Sequence, residues 1–225
     1  MICIPVCASD IDNAREIMTL AAPLCDIVEL RIDYLDSIDL PSLLSARHGP
    51  VVVTNRKADE GGHFTGTEEE RISSLTDAIR LRADFVDVEL STPLELMGEV
   101  TGAIQKSAAG TRLIVSSHNF TETPSLASLQ DLYTRCRAAG GDIVKIVTHA
   151  RDLSDNLTIL TLVDRIISVK GDIIAFCMGD KGKISRVMAP LFGSFLTFAS
   201  LETGAESAPG QMTVRDMKKI FEVLA

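Results

Sequence analysis

Lys145 stands in the run DIVKIV (142–147), with Ile143 and Val144 before it and Ile146 and Val147 after it. Lysine is rarely buried without a partner or a purpose. In apolar surroundings its ammonium is disfavoured, and the neutral amine that results can attack a carbonyl and form a Schiff base. The side chain can equally snorkel to a carboxylate at the strand's rim, and the residues alone weigh the two readings level. Imine chemistry needs a proton carrier nearby. His118, at the end of the preceding apolar run, titrates near neutrality and suits that role. A carboxylate would fix its tautomer, and Glu89, one run further back, is the expected one.

Other polar residues gather where apolar runs end. Glu29 and Arg31 are two apart and so face the same way on a strand, as are Asp87 and Glu89. Thr54 and Arg56 close the third run, and Ser116 precedes His118. Arg186 lies in MGDKGKISR (178–186), and Ser207 and Gln211 lie in SAPGQ (207–211). Taken singly, each is a solvated or capping residue more often than a functional one. Together, Arg31, Arg56 and Arg186 offer positive charge to an anionic substrate, with arginine suited to bidentate contact. The chain's formal net charge of −9 makes such a local excess necessary for binding an anion.

Positioning these groups needs a regular frame. Eight runs read as strands: 2–6, 26–32, 50–55, 85–90, 112–117, 142–147, 172–178 and 195–201. Residues 12–22, 68–81, 125–139, 154–169 and 213–224 read as helices, with Ser125 a candidate cap and Gly140-Gly141 a stop. Continuous apolar strands alternating with helices imply parallel pairing with both sheet faces covered. We therefore expect an α/β fold, a single (β/α)8 TIM barrel over 1–225, with its site at the C-terminal ends of the strands. A doubly wound open sheet is the alternative. Its dinucleotide-binding version is weakened because the first turn reads CASDID and not GxGxxG.

With 46% hydrophobic and 24% charged residues, the composition is that of an ordinary globular chain. Its acidity argues against a nucleic-acid surface. No apolar run is long enough to span a bilayer, and the N-terminus does not read as a signal peptide. Cys3, Cys7, Cys25, Cys136 and Cys177 include no CxxC pair, so reduced, mostly buried thiols of a cytoplasmic protein are expected. His48, His63, His118 and His149 lack ligand spacing, so no metal is expected. His149, near the end of the sixth run, reads as a loop contact, and His63 lies in the loop after the third run, within reach of the site but not required there.

The segments ELRID (29–33), TNR (54–56), DVEL (87–90), SSHNF (116–120), KI (145–146), MGDKGKISR and SAPGQ, in this order, resemble type I 3-dehydroquinate dehydratase. The resemblance implies a (β/α)8 barrel, usually a homodimer, that dehydrates 3-dehydroquinate to 3-dehydroshikimate in the shikimate pathway without metal or cofactor. By that likeness Lys145 forms the imine, His118 is the general acid/base and Glu89 orients it. Glu29, Arg31 and Arg56 would hold substrate hydroxyls and the reacting centre, and Arg186 the substrate carboxylate. Ser207 and Gln211 would come from a loop, 202–212, that closes as a lid. Pro5 stands about where many relatives carry serine, and Asn55 replaces an aromatic residue. A Schiff-base aldolase, with MGDKGKIS as a phosphate loop, is the rival within the same chemistry. A non-catalytic barrel that binds a small acid is the rival outside it.

Overall fold

The computed structural model describes residues 1–224. Each expected strand forms: β1 (Ile2–Val6), β2 (Ile27–Arg31), β3 (Val51–Thr54), β4 (Phe85–Glu89), β5 (Arg112–His118), β6 (Ile143–His149), β7 (Ile173–Met178) and β8 (Thr197–Ser200). All neighbours pair in parallel, in the order β7-β6-β5-β4-β3-β2-β1-β8. Among the described residues no ladder joins β7 to β8. Instead the ring closes where Phe195 N–H donates to Ile173 O at 2.8 Å and where the Phe176 and Phe198 rings meet edge-on, 5.9 Å between centroids. A two-residue strand, β9 (Met212–Thr213), pairs with Ala199 and Ser200 of β8. The expected loop after the eighth strand is therefore anchored at its far end.

Eight helices wrap the strands: α1 (Ile11–Ala21), α2 (Leu40–Ser45), α3 (Glu68–Arg80), α4 (Leu94–Lys106), α5 (Leu126–Ala138), α6 (Asp155–Ser168), α7 (Lys183–Leu191) and α8 (Val214–Leu224). Local chemistry sets several starts. Thr67 and Glu70 form a reciprocal capping box on α3, and the expected Ser125 cap accepts from Ser128 N–H on α5. The sequence reading did not anticipate α2, α4 or α7. Helix α2 is only six residues long, α4 carries Gly98 and Gly102, and α7 contains Pro190 and starts inside the Gly-bearing MGDKGKISR stretch. Among the described residues no helix is long and apolar enough to cross a membrane.

Strand side chains divide the core in two. Val28, Leu30, Val53, Val86, Val144 and Ile146 point outward and pack under the helices. Cys3, Ile27, Val52, Ile114, Ile143 and Ile174 fill the barrel interior. That inner plug fills the lower barrel, so the inward polar residues two positions further along four of the strands, Glu29, Thr54, Ser116 and Lys145, lie above it.

Candidate active site

Lys145 lies in the middle of β6, opposite Ser116 of β5 and Ile174 of β7. Its Nζ donates to Asp87 Oδ2 at 2.9 Å and lies 3.5 Å from Glu29 Oε1 and 4.5 Å above the centre of the Phe198 ring. The apolar cradle expected from the neighbouring residues is not what surrounds the amine. Val144 and Ile146 face the helices because strand side chains alternate, so flanking residues in sequence say little about the inner face. The partners come from β4 and β2.

A chain of alternating charges runs away from the lysine. Asp87 receives Ser116 Oγ–H at 2.6 Å and pairs with Arg56 Nη2 at 2.8 Å. Burial pushes the Asp87 carboxyl up, but Arg56 and Lys145 outweigh it and hold the group well below the usual carboxylate range. Arg56 Nη1 also reaches Glu89 Oε1 at 3.0 Å and Ser116 Oγ at 2.7 Å. Glu29 Oε1 accepts from Thr54 Oγ1 at 2.9 Å, which fixes the second carboxylate beside the amine.

His118 does not meet Glu89. Its Nδ1 lies 2.9 Å from Oε2 of Glu60, which also accepts the His118 backbone N–H at 3.1 Å. Glu89 is occupied by Arg56 and by Arg71, at 2.5 Å, and does not line the cavity. The contact expected of Glu89 is thus made by Glu60. That residue ends a 3-10 turn, Ala58–Glu60, in the loop after β3. The two glycines that follow it were the available signal. A Cβ on Gly62 would stand 1.9 Å from Arg56 O, and Gly61 has φ +78°, so the pair lets the loop fold back against β3 and turn Glu60 inward.

Glu60 Oε1 receives Ser91 Oγ–H at 2.8 Å. Burial raises its pKa despite that bond and despite Arg56. Burial first, then the charges of Arg56 and Lys145, push His118 well below the ordinary histidine value. The ring is therefore neutral at neutral pH. With Nδ1–H donated to Glu60, Nε2 is left with a lone pair, and it has no hydrogen bond among the described residues.

Arg186 sits on α7, in the stretch that followed β7 in the sequence reading, and is fully buried. Its Nη2 donates to Pro209 O at 3.1 Å and its guanidinium lies 4.5 Å over Phe176, while Nε has no partner among the described residues. Burial without a carboxylate lowers its pKa to about 10. The loop 202–212 provides the roof. Gln211 Oε1 accepts from Ser207 N–H at 2.7 Å, leaving the Gln211 Nε2 buried and unpartnered. Arg31, by contrast, is held bidentate by Asp33 at 2.9 and 2.7 Å and lies over Tyr34.

Lys145, His118, Glu60, Glu29, Arg31, Arg56, Arg186, Ser207 and Gln211 line one cavity of about 190 Å³, with Phe176, Met178 and Phe198 as its apolar wall. The structure thus gathers every expected site residue except Glu89 around one space. Asn55 points outward, its Nδ2 donating to Ser74 Oγ of α3 at 2.9 Å, so the exchanged aromatic does not alter the cavity. His63 stacks on Tyr34 with centroids 4.1 Å apart, and His149 packs beside Gly179. His149 is the last residue of β6, and neither histidine lines the cavity.

Residues 2–225 match the family model for type I 3-dehydroquinase. The chain belongs to this family. It is 38% identical to the 3-dehydroquinate dehydratase of Methanococcus maripaludis over the full length of both chains. It is 41% identical to that of Methanothermobacter thermautotrophicus, covering 98% of this chain and 95% of the other. The structure of 3-dehydroquinate dehydratase from Geobacillus kaustophilus superposes with a TM-score of 0.90 at 28% identity, over 99% of this chain and 90% of that one. The type I enzyme from Clostridium difficile, solved with covalent modified comenic acid, gives 0.89 at 26%, over 99% and 91%. Family membership sets aside the aldolase and binding-protein alternatives. A phosphosugar enzyme, 3-hexulose-6-phosphate synthase, shares the fold alone, at 15% identity and a TM-score of 0.63.

Proposed function

We propose that this chain dehydrates 3-dehydroquinate to 3-dehydroshikimate through an imine on Lys145, as a step of the shikimate pathway. One observation carries the reading: the buried Arg186, with an unpaired Nε, lines the same cavity as Lys145 and the free Nε2 of His118. A substrate bearing a carboxylate and a ring ketone suits those three groups together. Arg186 takes the carboxylate and mainly fixes position.

Chemistry follows from the placement. The Lys145 amine adds to the ketone carbon, and loss of water leaves an imine, with His118 carrying the protons. The imine draws electrons from the neighbouring C–H bond, so His118 Nε2 can take that proton. The electron pair forms an enamine and then expels the hydroxyl group one carbon further on. The histidine returns its proton to the departing oxygen, giving water from the same face. Water then hydrolyses the conjugated imine and restores the amine. Asp87 and Glu29 supply counter-charge at Nζ, and Glu60 holds the histidine tautomer and stabilises its protonated form. No step asks for a metal or a cofactor.

Borohydride reduction in the presence of 3-dehydroquinate tests the reading. We expect a single reduced adduct located on Lys145 by peptide mass, together with the absorbance of the conjugated product before reduction. An adduct elsewhere, or none, sinks it. The family resemblance supports a homodimer in the cytoplasm, with the barrel over 1–225 as a single catalytic domain. Sedimentation at assay concentration checks the dimer.

A further inference from the structure

Arg71 is one of the largest side chains that the fold buries completely, yet it lies on α3, outside the barrel, and does not line the cavity. Its donors are all engaged. Nε and Nη2 grip Glu68 at 2.9 and 3.0 Å, Nη2 also donates to Thr92 Oγ1 at 2.7 Å, and Nη1 donates to Asn55 O at 3.3 Å and to Glu89 Oε2 at 2.5 Å. Glu89, in turn, is fully buried and holds Arg56 through its other oxygen, and Arg56 holds Asp87, the partner of Lys145 Nζ. The succession Arg71–Glu89–Arg56–Asp87–Lys145 alternates in sign at every link.

We propose that Arg71 is a positioning residue for imine formation, acting through Glu89 to fix how Arg56 is divided between Glu89 and Asp87. The inference rests on the proposed function above. The physical argument is competition. Arg56 serves two carboxylates and one hydroxyl, and its orientation depends on how strongly each pulls. With Arg71 present, Glu89 has a second cation and makes a limited claim on Arg56. Without it, a buried Glu89 charge is left with Arg56 as its sole ionic partner and draws that guanidinium away from Asp87. Asp87 then shifts toward the lysine, and the amine loses the placement from which it attacks. The seat of Arg71 is built by α3 itself: Glu68, three residues earlier, clamps its outer edge.

The test compares R71M, R71K, E89Q and the double variant R71M/E89Q with the parent chain. Each is followed by the rate of borohydride-trapped adduct at saturating 3-dehydroquinate, by kcat and by KM, with circular dichroism confirming the fold. R71M should slow adduct formation and kcat by about 10- to 100-fold, as expected for a misplaced reacting group, with KM moving far less. R71K should recover part of the loss, and R71M/E89Q should be no slower than the slower single variant, because both break one succession. Should R71M fail to fold, E68A replaces it. Glu68 is partly exposed and its removal loosens Arg71 without stranding a buried charge, so a smaller loss in adduct rate is expected at unchanged KM. A folded R71M or E68A with parental adduct rate, or multiplying losses in the double variant, overturns this inference alone. Absence of adduct in the parent chain overturns the proposed function and this inference with it.

Discussion

Glu60 Oε2 and His118 Nδ1 lie 2.9 Å apart although 58 residues separate them in the chain. Glu89, two residues from Asp87 on β4, pairs instead with Arg56 and Arg71 and does not reach the histidine. The two carboxylates therefore have different duties, and their amides should fail differently. E60Q should leave the Lys145 adduct able to form while kcat falls by about 10²-fold, since the histidine loses the group that fixes and charges it. E89Q should slow the adduct itself. Rapid-quench borohydride trapping alongside steady-state rates distinguishes them, and equal trapping rates in both variants would contradict the assignment.

His118 sets the pH dependence. Its pKa is driven below the ordinary value of 6.5 by burial, then by Arg56 and Lys145. The base form is the working form, so activity is present above that depressed midpoint and lost as pH falls through it. The acid limb of kcat/KM, which reports the free enzyme, should thus lie below pH 6.5, and a limb at or above 6.5 would contradict the assignment. H118A should reduce turnover by about 10²-fold or more while some adduct persists.

Arg186 is a buried cation with no carboxylate partner among the described residues, which costs the empty protein stability and favours an anionic ligand. R186M should raise KM by about 10- to 100-fold, the worth of a charge-assisted bond. It should leave the ligand-free melting temperature unchanged or higher. A substrate analogue with the carboxylate converted to an amide should discriminate strongly against the parent chain and hardly at all against R186M. Melting curves and paired KM values check both halves.

Gly210 marks where the roof loop docks. Its φ is +78°, and a Cβ there would lie 2.3 Å from Gly179 O, in the stretch where Gly179 N–H donates to Pro209 O. G210A cannot keep this approach, so the loop should stand open, at a local cost of roughly 1–3 kcal/mol. KM should rise because Gln211 leaves the cavity wall and Pro209 leaves Arg186. In the parent chain, 3-dehydroquinate should protect 202–212 from limited proteolysis, and identical cleavage with and without it would contradict a closing role.

Much of this was legible in the residues. The strands declare themselves as apolar runs, and the polar residues at their ends converge because parallel strands in a barrel all finish on one side. Legibility failed where partners are distant in sequence. Lys145 reads as an apolar-flanked amine because flanking residues occupy the other face of the strand, whereas its real neighbours, Asp87 and Glu29, are set by register. Glu60 sits in a loop, and only the fold shows which way a loop turns. Helix α4 was missed for a local reason: two glycines weaken its intrinsic preference, and packing against the barrel overrides that weakness. Arg71 stands beside three glutamates in the first turn of α3, and only its burial sets it apart from them.

The ring of strands is a strip with a clasp. Seven of its eight junctions are ladders, while β7 and β8 meet through the Phe195 amide and a pair of phenyl rings. Lys145 belongs to the β6–β7 side of that clasp, and Phe198, whose face lies under its amine, belongs to the β8–β1 side. The Phe195 amide is thus the gauge of the whole circle. In hydrogen–deuterium exchange it should trade its proton ahead of the amides inside β4, β5 and β6, and binding at the top of the barrel, which bridges both sides, should slow it most.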